Sequence, residues 1–141
     1  MSKPRVLIVE DESVVALDIR YQLQALGYEV AGETRLAEEA EGLAASLRPD
    51  LVLMDIHLAG EMDGIEAAKR IRAHCQLPVV FLTAFAGDAV VDRAKEAQPY
   101  GYIVKPFDER ELRTVIEMSL HRHAAEVRQR AADDELAAVV R

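Results

Sequence analysis

A chain of 141 residues, half hydrophobic and 30% charged, has the size and composition of one folded domain rather than a disordered segment. Its net charge is −8, and because Arg122, Arg128, Arg130 and Arg141 balance Glu126, Asp133, Asp134 and Glu135, the whole excess sits in residues 1–120; that argues against a nucleic-acid surface or polybasic membrane patch on the body of the protein and leaves room for a cation. No apolar run reaches the roughly 20 residues that cross a bilayer, the start MSKPRVLIVE has no signal-peptide pattern, and the single Cys75 makes an internal disulfide impossible, so a cytoplasmic setting is expected.

Arg5 to Val9 (RVLIV) is a short β-branched run, the mark of a strand covered on both faces. Ser13 is placed to cap the next helix, whose apolar positions Val15, Ile19, Leu23 and Leu26 keep helical spacing until Gly27 closes it. Tyr28 to Gly32 reads as a weaker strand, and Leu36 to Leu47 as an alanine-rich helix stopped by Arg48-Pro49. Leu51 to Met54 is a second buried strand, and Ile65 to His74 a helix with Ile65, Ala68 and Ile71 inward. Pro78 to Leu82 is a strand, Asp88 to Ala97 a helix, Gly101 to Val104 a short strand, and Asp108 starts a last helix through Leu112, Val115, Ile116 and Leu120. Phe107 reads as an anchor of the core, and Cys75 as packing. Strand and helix alternate throughout, which predicts an α/β fold: a doubly wound, five-stranded parallel sheet with helices on both faces.

In an open parallel sheet, ligands bind outside the carboxyl ends of the strands, where strand order reverses. The first strand ends in Glu10-Asp11-Glu12, the third in Asp55, the fourth in Thr83-Ala84 and the fifth in Lys105-Pro106. In the order 2-1-3-4-5 the first and third strands are neighbours, which brings Asp11 and Asp55 together. Carboxylates packed so closely repel, and a hard divalent cation relieves them; Mg²⁺ suits such a site because it keeps waters and accepts phosphate oxygens. Lys105 adds a compact positive charge and Thr83 a hydroxyl. An acidic pair, a lone aspartate, a threonine and a lysine form the set that phosphoryl transfer to Asp55 requires. Singly, each residue has a plainer role: a turn-capping Asp, a β-forming Thr, a surface Lys, an acidic helix start. Their joint placement at the carboxyl ends of the right strands favours the chemistry.

The stretches VLIVEDE, LVLMD, the later MDG, VVFLTA and GYIVKPF together make residues 4–121 resemble the receiver domain of two-component response regulators. The resemblance implies the flavodoxin-like topology and makes Asp55 the phosphoacceptor. It implies Mg²⁺ held directly by Asp11, Asp55 and the backbone carbonyl of His57, and through water by Glu10. Thr83, Ala84 and Lys105 would contact the phosphoryl group, Thr83 and Tyr102 would act as switch residues, and Lys105-Pro106 would be cis. The chain departs from the family's usual pattern in having Glu10 where aspartate is common, and in a loop, LAGEMDG, one residue longer than the commonest form. The imidazoles of His57, His74, His121 and His123 read as surface, and Tyr100 as packing or partner-facing.

The implied partners are a sensor histidine kinase or phosphotransfer protein and a downstream protein or separate output domain, with no nucleic acid and no membrane engaged by this chain. An alternative is an aspartyl-phosphate-forming phosphohydrolase. That class carries a second Asp two residues after its nucleophile, where this chain has His57. A flavin carrier would need a phosphate-cradling loop where Glu10-Asp11-Glu12 would repel phosphate. Residues 1–121 therefore read as the receiver, a phosphoacceptor with at most self-phosphorylation and self-dephosphorylation activity, and residues 122–141 as a helical extension or linker. Along it Ile116, Leu120, His123 and Val127 continue a sparse apolar stripe, and Leu136, Val139 and Val140 add another. The extension is either a solvated helix or a signalling helix that forms a homodimer through the last helices or leads to an output domain. His123 and the charges on the first stripe argue against a strong coiled coil there.

Overall fold

The computed structural model describes residues 3–58, 60–84 and 88–140. The elements are β1 (Arg5–Val9), α1 (Ser13–Ala25), β2 (Glu29–Thr34), α2 (Ala37–Leu47), β3 (Leu51–Asp55), α3 (Gly64–Cys75), β4 (Val79–Thr83), α4 (Asp88–Lys95), β5 (Gly101–Val104) and α5 (Glu109–Val140). The five strands are parallel in the order β2-β1-β3-β4-β5, the flavodoxin-like topology. Arg141, counted in the tail's charge balance, and the Val140 side chain, counted in its apolar stripe, lie outside the described residues.

Strand residues alternate between two cores. Leu7, Val9, Val52, Met54 and Phe81 face α2, α3 and α4, where small side chains such as Ala40, Ala44, Ala67 and Ala68 let the helices lie close to the sheet. Val6, Ile8, Leu51, Leu53, Val80, Leu82 and Ile103 face α1 and α5 through Ile19, Leu23, Leu112 and Ile116. β3 and β4 are buried along their whole length, which explains their unbroken apolar sequence. Cys75 and Phe107 pack against the edges of the two cores, as expected.

Most other element ends shift by one or two residues from the sequence expectation, and two differences have a clear physical reason. Ser13 does not cap α1: it is the first helical residue, Glu12 precedes it as N-cap, and no side chain caps the end. A residue already in helical backbone cannot turn its hydroxyl back onto the first free amides. The second strand runs Glu29–Thr34, because Tyr28 belongs to the end of α1. Gly27 (φ +90°) donates to Gln24 O and Tyr28 to Leu23 O, and Tyr28 packs in the same cluster as Leu23, which together make a Schellman closure.

Candidate functional site

The strand order carries five chemistry-bearing residues to one end of the sheet. β3 ends at Asp55, 4% exposed, and the chain leaves β1 at Glu10, 1% exposed, followed by half-buried Asp11. Thr83 closes the neighbouring β4 and is buried. Lys105 follows β5 with its side chain 14% exposed. Its Nζ donates to Glu10 Oε1 at 2.5 Å and to Asp55 Oδ2 at 3.1 Å. Asp55 Oδ1 accepts from the His57 amide at 3.0 Å, and Glu10 Oε2 from the Glu12 amide at 3.2 Å. Glu10, Asp11 and Asp55 each offer a carboxylate oxygen, and these oxygens lie within 4.8 Å of one another.

The backbone around the site is tightly tied. The Lys105-Pro106 peptide is cis, as the resemblance implied, and the Lys105 amide donates to Thr83 O at 2.7 Å. Gly64 sits where a Cβ would come 2.0 Å from Asp55 O, so only glycine lets α3 begin this close to the strand end. Asp63 caps α3 by accepting from the Glu66 amide at 3.0 Å and also pairs with Arg93 of α4 at 2.8 Å. From α2, Glu38 Oε1 accepts from the Met62 amide at 3.0 Å. The long loop after Asp55 is thus held from both flanking helices. Glu38, Asp63 and Arg93 were not singled out as site residues in the sequence. The capping spacing of Asp63 to Glu66 is legible there, whereas the Glu38 and Arg93 contacts, 24 and 30 residues away in sequence, leave no local signal.

Three carboxylates against one ammonium leave the site electron-rich. Burial pushes the Glu10 carboxyl up to about 7, helped by its hydrogen bond with Asp55, while Lys105 and the Glu12 amide pull the other way. Burial draws the Lys105 ammonium down, but its bonds to Glu10 and Asp55 outweigh this and the net direction is up. An all-oxygen donor set of three clustered carboxylates fits a hard divalent ion such as Mg²⁺. The His57 imidazole is exposed, so His57 enters the site through its backbone. Ala84 is exposed beyond Thr83. Tyr102 is half-buried with its ring 6.1 Å from that of Phe81, and its hydroxyl is buried with no hydrogen-bond partner among the described residues.

Known proteins resemble this chain in sequence and in fold. The family model for the response regulator receiver domain matches residues 6–117. The transcriptional regulatory protein PdtaR of Mycobacterium tuberculosis is 42% identical over 118 residues, 84% of this chain and 57% of that protein. The regulatory protein AtoC of Escherichia coli is 38% identical over 119 residues, 82% of this chain and 25% of that protein. The chain thus spans little more than half the length of the first of these relatives and a quarter of the second. Among solved structures, the signal receiver domain of a modulated diguanylate cyclase from Desulfovibrio desulfuricans G20 superposes with TM-score 0.85 at 43% identity, covering 89% of this chain and 99% of that one. A match over residues 6–117, the strand order and the acidic strand ends agree, and this chain belongs to the response regulator receiver domain family of two-component systems.

Proposed function

We propose that this chain is a phosphorylation-controlled receiver that accepts a phosphoryl group on Asp55 from a sensor histidine kinase or phosphotransfer protein, with Mg²⁺ as cofactor. The observation that carries the reading is Lys105 bridging Asp55 and Glu10 beside Asp11, with Thr83 at the end of the adjacent strand. Asp11, Asp55 and the His57 carbonyl would hold the cation directly, and Glu10 through a water. Bound there, Mg²⁺ supplies positive charge for the phosphoryl oxygens.

An Asp55 carboxylate oxygen attacks phosphorus in line. The new O–P bond forms as the donor's P–N bond breaks, and the electron pair stays on the leaving imidazole nitrogen. Lys105 turns its ammonium from the carboxylates to the phosphoryl oxygens, and Thr83 and the Ala84 backbone meet the others. The residues bind, orient and neutralise, and any further activity is limited to self-phosphorylation and self-dephosphorylation.

The Thr83 hydroxyl, drawn toward the new phosphoryl group, vacates space beside β5, and Tyr102 answers by repacking. Its hydroxyl, buried and without a hydrogen-bond partner among the described residues, supports this, since leaving such a group unpaired costs about 1–3 kcal/mol. The face of α4, β5 and α5 then changes for a downstream protein or output domain, with residues 1–121 as receiver and 122–141 as the extension that carries the output. A cytoplasmic setting suits the lone Cys75. The decisive experiment is Mg²⁺-dependent labelling with acetyl phosphate followed by mapping of the label. Asp55→Asn should abolish incorporation; full labelling of that variant at another residue would overturn the assignment.

A further inference from the structure

α5 spans 32 residues, about 48 Å at 1.5 Å per residue, and its second half runs past the sheet. The first apolar stripe, Ile116–Leu120–His123–Val127, is spent inside the molecule as far as His123, while Val127 is exposed. Ile116 is buried, Leu120 packs on the core, and His123 Nε2 lies 2.9 Å from Gln76 O at the end of α3. Arg130, two turns on, donates to Gln76 Oε1 at 3.0 Å. A different stripe is exposed over most of its length: Met118, Arg122, Ala125, Gln129, Ala132, Leu136 and Val139, of which Ala125 alone is half-buried, alternate four- and three-residue steps in the heptad manner. Its large apolar members are bare, with Met118 68%, Leu136 65% and Val139 80% exposed. Where it begins, Tyr100, Met118, His121 and Ala125 line an open, mostly apolar groove of about 670 Å³.

Arg122, Gln129 and Leu136 take the a positions of this heptad, and Met118, Ala125, Ala132 and Val139 the d positions. The flanking g residues are His121, Arg128 and Glu135, and the e residues Ser119, Glu126 and Asp133. In a parallel, in-register pair each g residue faces the e residue five positions on in the other helix. That sets His121 against Glu126 and Arg128 against Asp133, and neither pairing is like-charged. Gln129 Nε2 already donates to Asp133 Oδ1 at 3.0 Å, and the Arg122 guanidinium lies 4.3 Å from the centre of the Tyr100 ring, drawn aside from the seam. The neighbouring stripe Leu120, Ala124, Val127, Ala131, Asp134 and Ala138 would bury a carboxylate and set His123 against Arg128.

We propose that a second copy of this chain covers the exposed stripe, pairing with α5 as a parallel, in-register, two-stranded coiled coil from Met118 to Val139. Polar residues at two a positions fix the register and keep the association weak. It stands apart from the chemistry at Asp55, so it is measured on the full, unphosphorylated chain and on Asp55→Asn alike.

Sedimentation equilibrium from about 10 µM to about 1 mM should show the mass rising from monomer toward dimer. Leu136→Asp with Val139→Asp, both exposed and so compatible with the fold by circular dichroism, should weaken association by at least about tenfold. Arg128→Glu should weaken it too, and adding Asp133→Arg should restore it. Residues five apart on one helix do not face each other, so rescue can come only from between chains. In a Cys75→Ser background, Leu136→Cys should form a disulfide-linked dimer on mild oxidation, as parallel register demands. A monomer across the whole range, a dimer indifferent to the Leu136 and Val139 changes, a trimer, or failure of the charge-swap rescue would each overturn the proposal.

Discussion

Lys105 answers two buried carboxylates with one ammonium, and this imbalance sets how the site responds to pH. The Glu10 carboxyl is pushed from 4.5 up to about 7, first by burial and then by its hydrogen bond with Asp55. Between those values the folded chain keeps a proton that the unfolded chain has released, so Glu10 makes stability fall as pH rises across that window. A bound cation needs both carboxylates ionised and must expel the proton. Mg²⁺ affinity should therefore climb by up to about tenfold per pH unit below about 7 and level off above. Calorimetry in buffers of different ionisation enthalpy would register the released proton, and Glu10→Gln should flatten the profile. An affinity unchanged between about pH 5.5 and about pH 8 would remove Glu10 from this role. Gly64 makes a second demand at the same scale. Gly64→Ala drives a methyl group into the Asp55 carbonyl, and neither a strand end nor a helix start yields easily. A loss of about 3 kcal/mol in denaturant unfolding is expected, with weakened Mg²⁺ binding, because the displaced atom belongs to Asp55 itself.

At the scale of elements, α2, α3 and α4 all end near side-chain-bearing residues in the left-handed region: Arg48 (φ 48°), Gln76 (φ 55°) and Gln98 (φ 50°). Glycine is the usual residue there, and a Cβ adds strain. Gln98 engages the rest of the fold through its backbone, its carbonyl accepting from Arg72, so Gln98→Gly keeps that bond. The strain relieved and the backbone entropy lost nearly offset, and a gain of about 0.5 kcal/mol in thermal unfolding is expected; a loss would mean that the glutamine side chain holds α4 in place. These endings also mark what the sequence could and could not convey. Strands β1, β3 and β4 were legible because burial on both faces writes itself as unbroken runs such as RVLIV and LVLMD. The strand-end residues Asp55, Thr83 and Lys105 followed from strand order alone. The Gln76 closure has no glycine to announce it. The links from Arg93 to Asp63 and from Glu38 to Met62 join residues far apart in sequence, and only packing brings them together. The tail was legible only in part for a related reason: Ile116, Leu120 and His123 have helical spacing, but a sequence does not say which stripe the body has already covered.

Across the whole molecule, α5 touches both ends of the sheet. It starts at the site end, where Asp108, three residues past Lys105, caps it by accepting from the Glu111 amide at 2.8 Å. At the opposite end it is clasped by Tyr100, whose hydroxyl bonds the Glu126 carboxylate and whose ring lies 5.8 Å from His123, and by Gln76, which meets His123 and Arg130. Tyr100 and Tyr102 are two residues apart beside and within β5, so a ring displaced at Tyr102 moves the strand that carries the clasp. Two arrangements separated by only a few kcal/mol would let one phosphoryl group tip the balance. Beryllofluoride, which mimics that group, should alter hydrogen exchange in the segment around Thr83 and Tyr102 and, with it, in α5 beyond residue 121. Tyr100→Phe deletes the bond to Glu126 while leaving the carboxylates, Thr83 and Lys105 untouched. It should accept phosphate at the normal rate and still change around Tyr102, but its tail should exchange rapidly in both states. If the tail keeps the same protection with and without beryllofluoride in the parent chain, the signal does not leave the receiver through α5. If Tyr100→Phe still transmits the change, the route runs through Gln76 and α3 instead.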